Sequence, residues 1–264
     1  MPELAEVEYY RKQWDPGLGK RVARVELHAA TRVFRGVETR KLMAAVRGQR
    51  FSGSWARGKQ MLFRFGKEAW VGMHLGMTGT LRTEALPFRP EKHDHLAIFL
   101  PKVALVFRDA RQFGRVRFDS GREEPEWWRK IPASPHEGAF TKRVMSAFLT
   151  RHPRLPIKAS LLLQTGFAGI GNWMADEILW QAGIAPVRKT GSLRTEELNR
   201  LWRSTRAVCR KAIETIASDF GDPPRGWLFH ARWSRKGVCP KHRTLLKCAT
   251  VGGRTTVWCG HCQR

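Results

Sequence analysis

Proline at position 2, directly behind the initiator methionine and followed by Glu3, is the first residue pair in this sequence with chemistry of its own. Once Met1 is trimmed, Pro2 carries a free secondary amine. An α-amino group titrates near ~8, against ~10.4 for a lysine side chain, so it is a usable nucleophile at neutral pH without burial. Attack of such an amine on an aldehydic sugar carbon gives an iminium, an electron sink for elimination, and Glu3 beside it can give or take the proton. The same residues also read as helix-start chemistry, Pro in a first turn followed by Glu3, Glu6 and Glu8, and on these residues alone that plainer reading is the better supported.

Three further constellations carry chemistry. Cys239-x2-His242 is followed by Cys259-x2-Cys262, two ligand pairs flanking a hairpin signal at Gly252-Gly253. Three thiolates and an imidazole suit one tetrahedral Zn²⁺, and four protein ligands leave no open position, so the metal is structural. Cys248 and His261 are substitute ligands outside the two-residue spacing, and Cys209 reads as a buried thiol. The turn Phe167-Ala168-Gly169-Ile170-Gly171-Asn172 joins two helical segments, with Asn172 as N-cap and free helix N–H groups aimed at phosphate; tight packing explains it equally well. Finally, His74-Leu75-Gly76-Met77-Thr78-Gly79 and Asp109-Ala110-Arg111-Gln112-Phe113-Gly114 place Met77 and Phe113 beside glycines at strand tips. Such residues wedge between bases in duplex-opening proteins, although core packing is the simpler account of the two side chains taken alone.

The elements that must position these groups fall into two patterns. Residues 4–14 read as a helix stopped by Asp15-Pro16-Gly17. Short strands follow at 22–27, 48–55, 60–65, 69–74, 96–100, 103–108 and 115–118, with one helix at 39–46, which argues for an antiparallel sandwich or barrel. Residues 119–140, mixing Gly, Pro, Glu and Trp without a period, are the expected linker. Beyond it the chain turns helical at 141–150, 157–164 and 172–182, then along a stretch where Leu198, Leu201, Trp202, Thr205, Val208, Cys209, Ala212, Ile213 and Ile216 share one face.

Composition narrows the partner. With 264 residues there is chain for more than one domain, and 48 Lys and Arg against 23 Asp and Glu give a net charge of +25. That surface suits a polyanion, foremost nucleic acid. The sequence offers no apolar run near ~18 residues and no basic-then-apolar leader, so a soluble intracellular protein away from membranes is expected. Five cysteines, an odd number crowded toward the C-terminus beside histidines, favour a metal over disulfides.

Taken together, these residues resemble the bacterial formamidopyrimidine-DNA glycosylase and endonuclease VIII family, closer to the former branch. The resemblance runs nearly end to end, through Pro2 to Glu8, Gly58-Lys59, the 74–79 motif, Glu91 to His95, Asp109 to Gly114, the Ala168 to Asn172 turn and the zinc hairpin with Arg254. It implies an α+β protein. An N-terminal β-sandwich domain with its N-terminal helix would span 1–130, a helix-two-turn-helix DNA-binding domain 131–220, and a zinc-finger hairpin 221–264. It further implies that Pro2 attacks C1′, that Glu3 acts as acid or base, and that Glu6 and Lys59 belong to the catalytic group. Lys59, His74, Asn172 and Arg254 would clamp phosphates; Met77, Arg111 and Phe113 would fill the gap and address the orphan base; Lys158 would lie near the damaged base. The expected activity is a bifunctional glycosylase and abasic-site lyase of base excision repair, acting as a cytoplasmic, nucleoid-associated monomer on damaged double-stranded DNA, with β,δ-elimination through a proline Schiff base and one structural Zn²⁺.

Three departures from the family pattern stand out. Ala5 replaces a second proline, His242 replaces a cysteine, and Ser218 to Trp227 is shorter than the segment with which typical members cover 8-oxoguanine, leaving base preference open, with ring-opened purines or a bare abasic site still acceptable without that cover. The competing reading is a zinc-containing protein that binds damaged DNA without cutting it. A sequence-specific regulator is weaker, since only residues 166–182 resemble a recognition unit.

Overall fold

The computed structural model describes residues 1–234 and 236–264. They form two compact units, one of Met1–Pro2 with Glu6–Ile131 and the other of Glu3–Ala5 with Pro132–Arg264. The architecture is α+β, with the strands of a sandwich first and the helices and a metal-ligand hairpin after them.

The first unit holds most of α1 (Leu4–Lys12), then β1 (Arg24–Leu27), α2 (Thr39–Val46), β2 (Phe51–Arg57), β3 (Gln60–Phe65), β4 (Ala69–His74), β5 (Thr80–Ala85), β6 (Asp94–Phe99), β7 (Val103–Arg108), β8 (Arg115–Ser120) and the single turn α3 (Glu126–Arg129). Two antiparallel four-stranded sheets, ordered β1-β6-β7-β5 and β2-β3-β4-β8, share one core. Phe51, Phe63, Phe65, Val71 and Met73 from one sheet meet Leu81, Leu96, Ile98, Leu105 and Phe107 from the other, with Trp14 and Val7 among them. Each such side chain contributes about 1.5–3 kcal/mol on burial, so strand alternation fixes the sandwich.

Two sequence expectations are corrected here. Strand β5 was not expected, because in TLRTEA only Leu81 faces the core while Arg82 bonds Glu84 and Asp94 at its sides. The expected linker at 119–140 is partly structure: Trp128 is buried against Leu62 and Trp70, and Trp127 lies over Gly72, so the first unit continues to Ile131.

In the second unit, α4 (Lys142–Thr150), α5 (Ile157–Leu161), α6 (Asn172–Ala182), α7 (Thr195–Asp219) and α8 (Leu228–Ala231) are followed by the hairpin β9 (Lys247–Val251) and β10 (Arg254–Trp258). Successive turns between α5 and α6, closed by Gly166 N to Leu163 O and Ile170 N to Phe167 O, make the helix-two-turn-helix. Helix α6 is apolar nearly all round and runs through the unit's core with Phe140, Phe167, Leu201 and Val208. Gly183, at φ +69, ends it, and Gly252-Gly253, at φ +59 and +71, turns the hairpin, conformations that favour glycine.

Candidate nucleic-acid and metal site

Glu3 is held by the N-terminus of α6. Its carboxylate accepts the amide N–H of Gly171 at 3.0 Å, of Trp173 at 3.0 Å and of Met174 at 3.2 Å, and Leu4 N donates to Gly169 O at 3.0 Å. A carboxylate here takes up orphan donors and meets the positive end of the helix dipole. The expectation that these amides stay free for phosphate, capped by Asn172, is therefore corrected: Gly171 is the N-cap, Asn172 is the first helical residue, and the anion seated there is Glu3. A Cβ on Gly171 would stand 2.2 Å from the Glu3 carboxyl carbon, so the close approach requires glycine.

Asn172 instead donates from Nδ2 to Thr255 O at 2.9 Å, which ties the start of α6 to β10 one residue from exposed Arg254. Gly252 at the hairpin tip packs on Ala159 of α5. Two of the four expected phosphate ligands are thus brought together in this unit.

The other two, Lys59 and His74, belong to the sandwich. Lys59 sits at the tip of the β2-β3 hairpin and is largely buried; His74 closes β4. His74 Nδ1 accepts Gly76 N–H at 3.0 Å, which leaves Nε2–H as the donor of a neutral ring. Burial, with the nearby cations Lys59, Arg117 and Arg35, lowers the His74 pKa to about 4.

Gly76, at φ +63, packs so tightly on the 109–114 loop that a Cβ would lie 2.4 Å from the Phe113 carbonyl carbon. Buried Asp109 locks the pair of loops, accepting Thr78 Oγ1 at 3.0 Å and Gly114 N at 2.7 Å. Met77 and Phe113 are 39% and 44% exposed, not core residues, and exposed Arg111 stacks on the Phe113 ring at 4.8 Å. Gln112, at φ +54, is occupied elsewhere, its Oε1 accepting Arg32 N at 3.0 Å. Pro2 and Glu6 are half-buried at the start of the chain, and Met1 is exposed.

Lys158 departs from expectation. It is fully buried and ion-paired with Asp176, which also receives Arg232 Nη2 at 2.8 Å and Val257 N at 3.4 Å. Burial lowers the pKa of its amine, and Asp176 opposes that shift. The ammonium, which also donates to Asn172 O at 3.3 Å, is an internal tie from α5 to α6, and Asp176 carries the network on to β10. Sequence reasoning missed Asp176 and its neighbour Glu177, although two adjacent acids in an otherwise apolar helix were a legible signal. Burial pushes the Glu177 carboxyl up to about 7, against hydrogen bonds from Gln181 Nε2 at 2.8 Å and Phe229 N at 3.0 Å.

Cys239, His242, Cys259 and Cys262 place one ligand atom each within 4.8 Å of all the others, a cluster that fits one metal ion. Around a tetrahedral ion with ~2.3 Å sulfur bonds, ligand atoms stand about 3.8 Å apart, and Cys239 Sγ is 3.7 Å from His242 Nδ1. Trp180 Nε1 donates to Cys239 Sγ at 3.4 Å, and Thr244 Oγ1 lies 3.4 Å from Cys259 Sγ, the outer contacts a metal thiolate uses. Cys248 is exposed on β9 and stands outside the cluster, as does His261, which packs on the His242 ring; Cys209 is buried and its thiol pKa raised by that burial.

A two-sheet sandwich followed by a helix-two-turn-helix and a Cys3His hairpin is the architecture of a narrow class of proteins. Residues 1–116 match the model of the formamidopyrimidine-DNA glycosylase N-terminal domain and residues 131–221 that of its H2TH domain. Formamidopyrimidine-DNA glycosylase of Desulfitobacterium hafniense is 35% identical over 265 residues, covering 99% of this chain and 93% of its own. That of Thermus thermophilus is 35% identical over 276 residues, covering 100% and 98%. Among solved structures, Lactococcus lactis Fpg in complex with abasic-site DNA matches with a TM-score of 0.89 at 28% identity over 99% of each chain, and its complex with oxidized-pyrimidine DNA with 0.89 at 28% over 100% of each. This chain belongs to the formamidopyrimidine-DNA glycosylase family. No helix among the described residues is long and apolar enough to cross a membrane.

Proposed function

We propose that this protein is a bifunctional DNA glycosylase and abasic-site lyase of base excision repair, with Pro2 as nucleophile. The observation that carries the reading is the Glu3 carboxylate, fixed by three amides of the α6 turn and covalently next to Pro2. A helix cap alone accounts for its stability; a cap adjoining a potential secondary amine also accounts for its chemistry. With Met1 removed, Pro2 N attacks C1′ of a damaged nucleotide, the C1′–base bond breaks and the base leaves with a proton. The amine nitrogen then gives up its proton and the C1′–O4′ bond opens, O4′ taking a proton, to leave an iminium; this acidifies the C2′ proton, whose loss expels the 3′ phosphate, and a second elimination expels the 5′ phosphate. Glu3 exchanges protons in these steps and Glu6 supports it.

Lys59, His74, Asn172 and Arg254 hold backbone phosphates, His74 as a neutral donor, while exposed Met77, Phe113 and Arg111 occupy the gap left by the everted nucleotide. The shortened 218–227 segment favours ring-opened or otherwise oxidised purines without a fixed cover. The Cys3His donor set selects Zn²⁺, which supplies no chemistry to the sugar; Cys239, His242, Cys259 and Cys262 hold it so that β10 presents Arg254. The substrate is lesion-bearing duplex DNA, handled by a monomer.

Borohydride trapping on abasic duplex tests the reading. The processed protein should form a covalent adduct and Pro2→Gly should not. An unmarked, uncut duplex with processed protein would leave a damaged-DNA binder that does not turn over.

A further inference from the structure

The arginines of the two sandwich sheets are treated differently. On β5 and β7, Arg82 and Arg108 are ion-paired to Asp94, Glu84 and Glu91. On the outward face of β2-β3-β4-β8, Arg57, Arg64 and Arg117 have no carboxylate within ion-pair distance among the described residues. Each lies on an indole instead: Arg57 over Trp128 at 5.3 Å, Arg64 over Trp70 at 4.8 Å and Arg117 over Trp127 at 4.5 Å. Strand register puts Arg64 opposite Trp70 and Gly72 opposite Arg117, so the stacked pairs share one face. Two glycines make room for it. A Cβ on Gly72 would meet Trp127 at 2.4 Å, and one on Gly53 would meet Trp55 at 2.0 Å. Trp55 therefore lies flat across Gly53, beside Trp70 at 6.0 Å, and is still 39% exposed.

A guanidinium stacked on an indole is held in one orientation with N–H donors left over for phosphate; Arg64 spends one of its five, from Nη2, on Lys67 O at 2.6 Å. Three such groups, none of them ion-paired among the described residues, form a phosphate track beside a single acid, Asp119, which is engaged by Trp127 Nε1 at 3.0 Å, and a flat, exposed indole among them offers a stacking surface to an unpaired base. We propose that this sheet face is a second nucleic-acid surface that binds single-stranded DNA, with Arg57, Arg64 and Arg117 on its phosphates and Trp55 stacked on a base. The inference does not depend on Pro2 chemistry.

The test is binding of the full-length protein to a fluorescent oligothymidylate across a salt series, with an undamaged duplex alongside. Arg57→Gln with Arg64→Gln should lower the slope of log affinity against log salt by about 0.7 per arginine on the single strand. Trp55→Ala should weaken oligothymidylate binding about 5- to 100-fold. Arg57→Lys with Arg64→Lys keeps the charge and should keep the slope, which separates phosphate contact from a damaged fold. Unchanged slope and affinity in the Gln and Ala variants would overturn the proposal. So would a slope loss confined to the duplex, or a loss in the Lys pair equal to that in the Gln pair. Borohydride trapping by the variants reads the Pro2 proposal separately.

Discussion

Glu3 Oε1 accepts the backbone N–H of Trp173 at 3.0 Å, a contact between residues 170 positions apart. The expected catalytic carboxylate is thereby also the cap of the helix that runs through the core of the second unit. Its charge is oriented by backbone donors fixed in the α6 turn.

Replacing Glu3 should cost stability as well as activity. In Glu3→Gln one acceptor oxygen becomes an amide donor facing backbone donors, and about 1–3 kcal/mol of stability should be lost. Urea unfolding measures the loss and borohydride trapping the chemistry. Full stability with lost trapping would mean that the three amide contacts contribute nothing.

His74 should make the protein acid-sensitive in a defined window. Its folded pKa of about 4 lies below its ordinary 6.5, so between these values the unfolded chain takes up a proton that the folded one refuses. Stability therefore falls as pH drops through that interval and levels off below about 4. From pH 7 to pH 5 this single group should account for about 2 kcal/mol. His74→Gln should lose that much less over the same interval in urea titrations; equal losses would refute the assignment.

Gly76→Ala should disturb both wedge loops at once. The left-handed backbone alone costs an alanine about 1–2 kcal/mol, and its Cβ would drive into the Phe113 backbone. Thermal melting should fall, and a 2-aminopurine placed opposite the lesion should lose its signal of duplex opening. A variant with parental melting and opening would show the loops to be independent.

Lys158→Met should cost about 3–5 kcal/mol, because it unbalances a buried network in which, among the described residues, Asp176 keeps only Arg232 as a cation. Adding Asp176→Asn should recover part of that. A double-mutant cycle in denaturant reads the coupling, and strict additivity would exclude it.

Legibility in the sequence followed the range of the interaction. Strands β3, β4 and β7 and helix α6 were plain because local apolar runs between turn residues encode them, and the Cys3His cluster because ligand spacing does. Strand β5 was hidden since Arg82 finds its partners within the sheet, at Glu84 on its own strand and at Asp94 two strands away. Trp127 and Trp128 looked like linker because what buries them, Leu62, Trp70 and Gly72, comes from strands more than fifty residues earlier. Asn172 was misread as the cap for the same reason: a nearby Asn is visible in a window, and a carboxylate from position 3 is not. Lys158 was placed by resemblance alone, and no local feature announced Asp176 as its partner.

The cysteines have a practical consequence. Three are claimed by the metal cluster and Cys209 is sealed in the core, so Cys248, exposed on β9, is the thiol left open to solvent. A maleimide dye would attach there, on the strand facing β10 and across from Val257, and would report on the motion of the hairpin without an engineered handle.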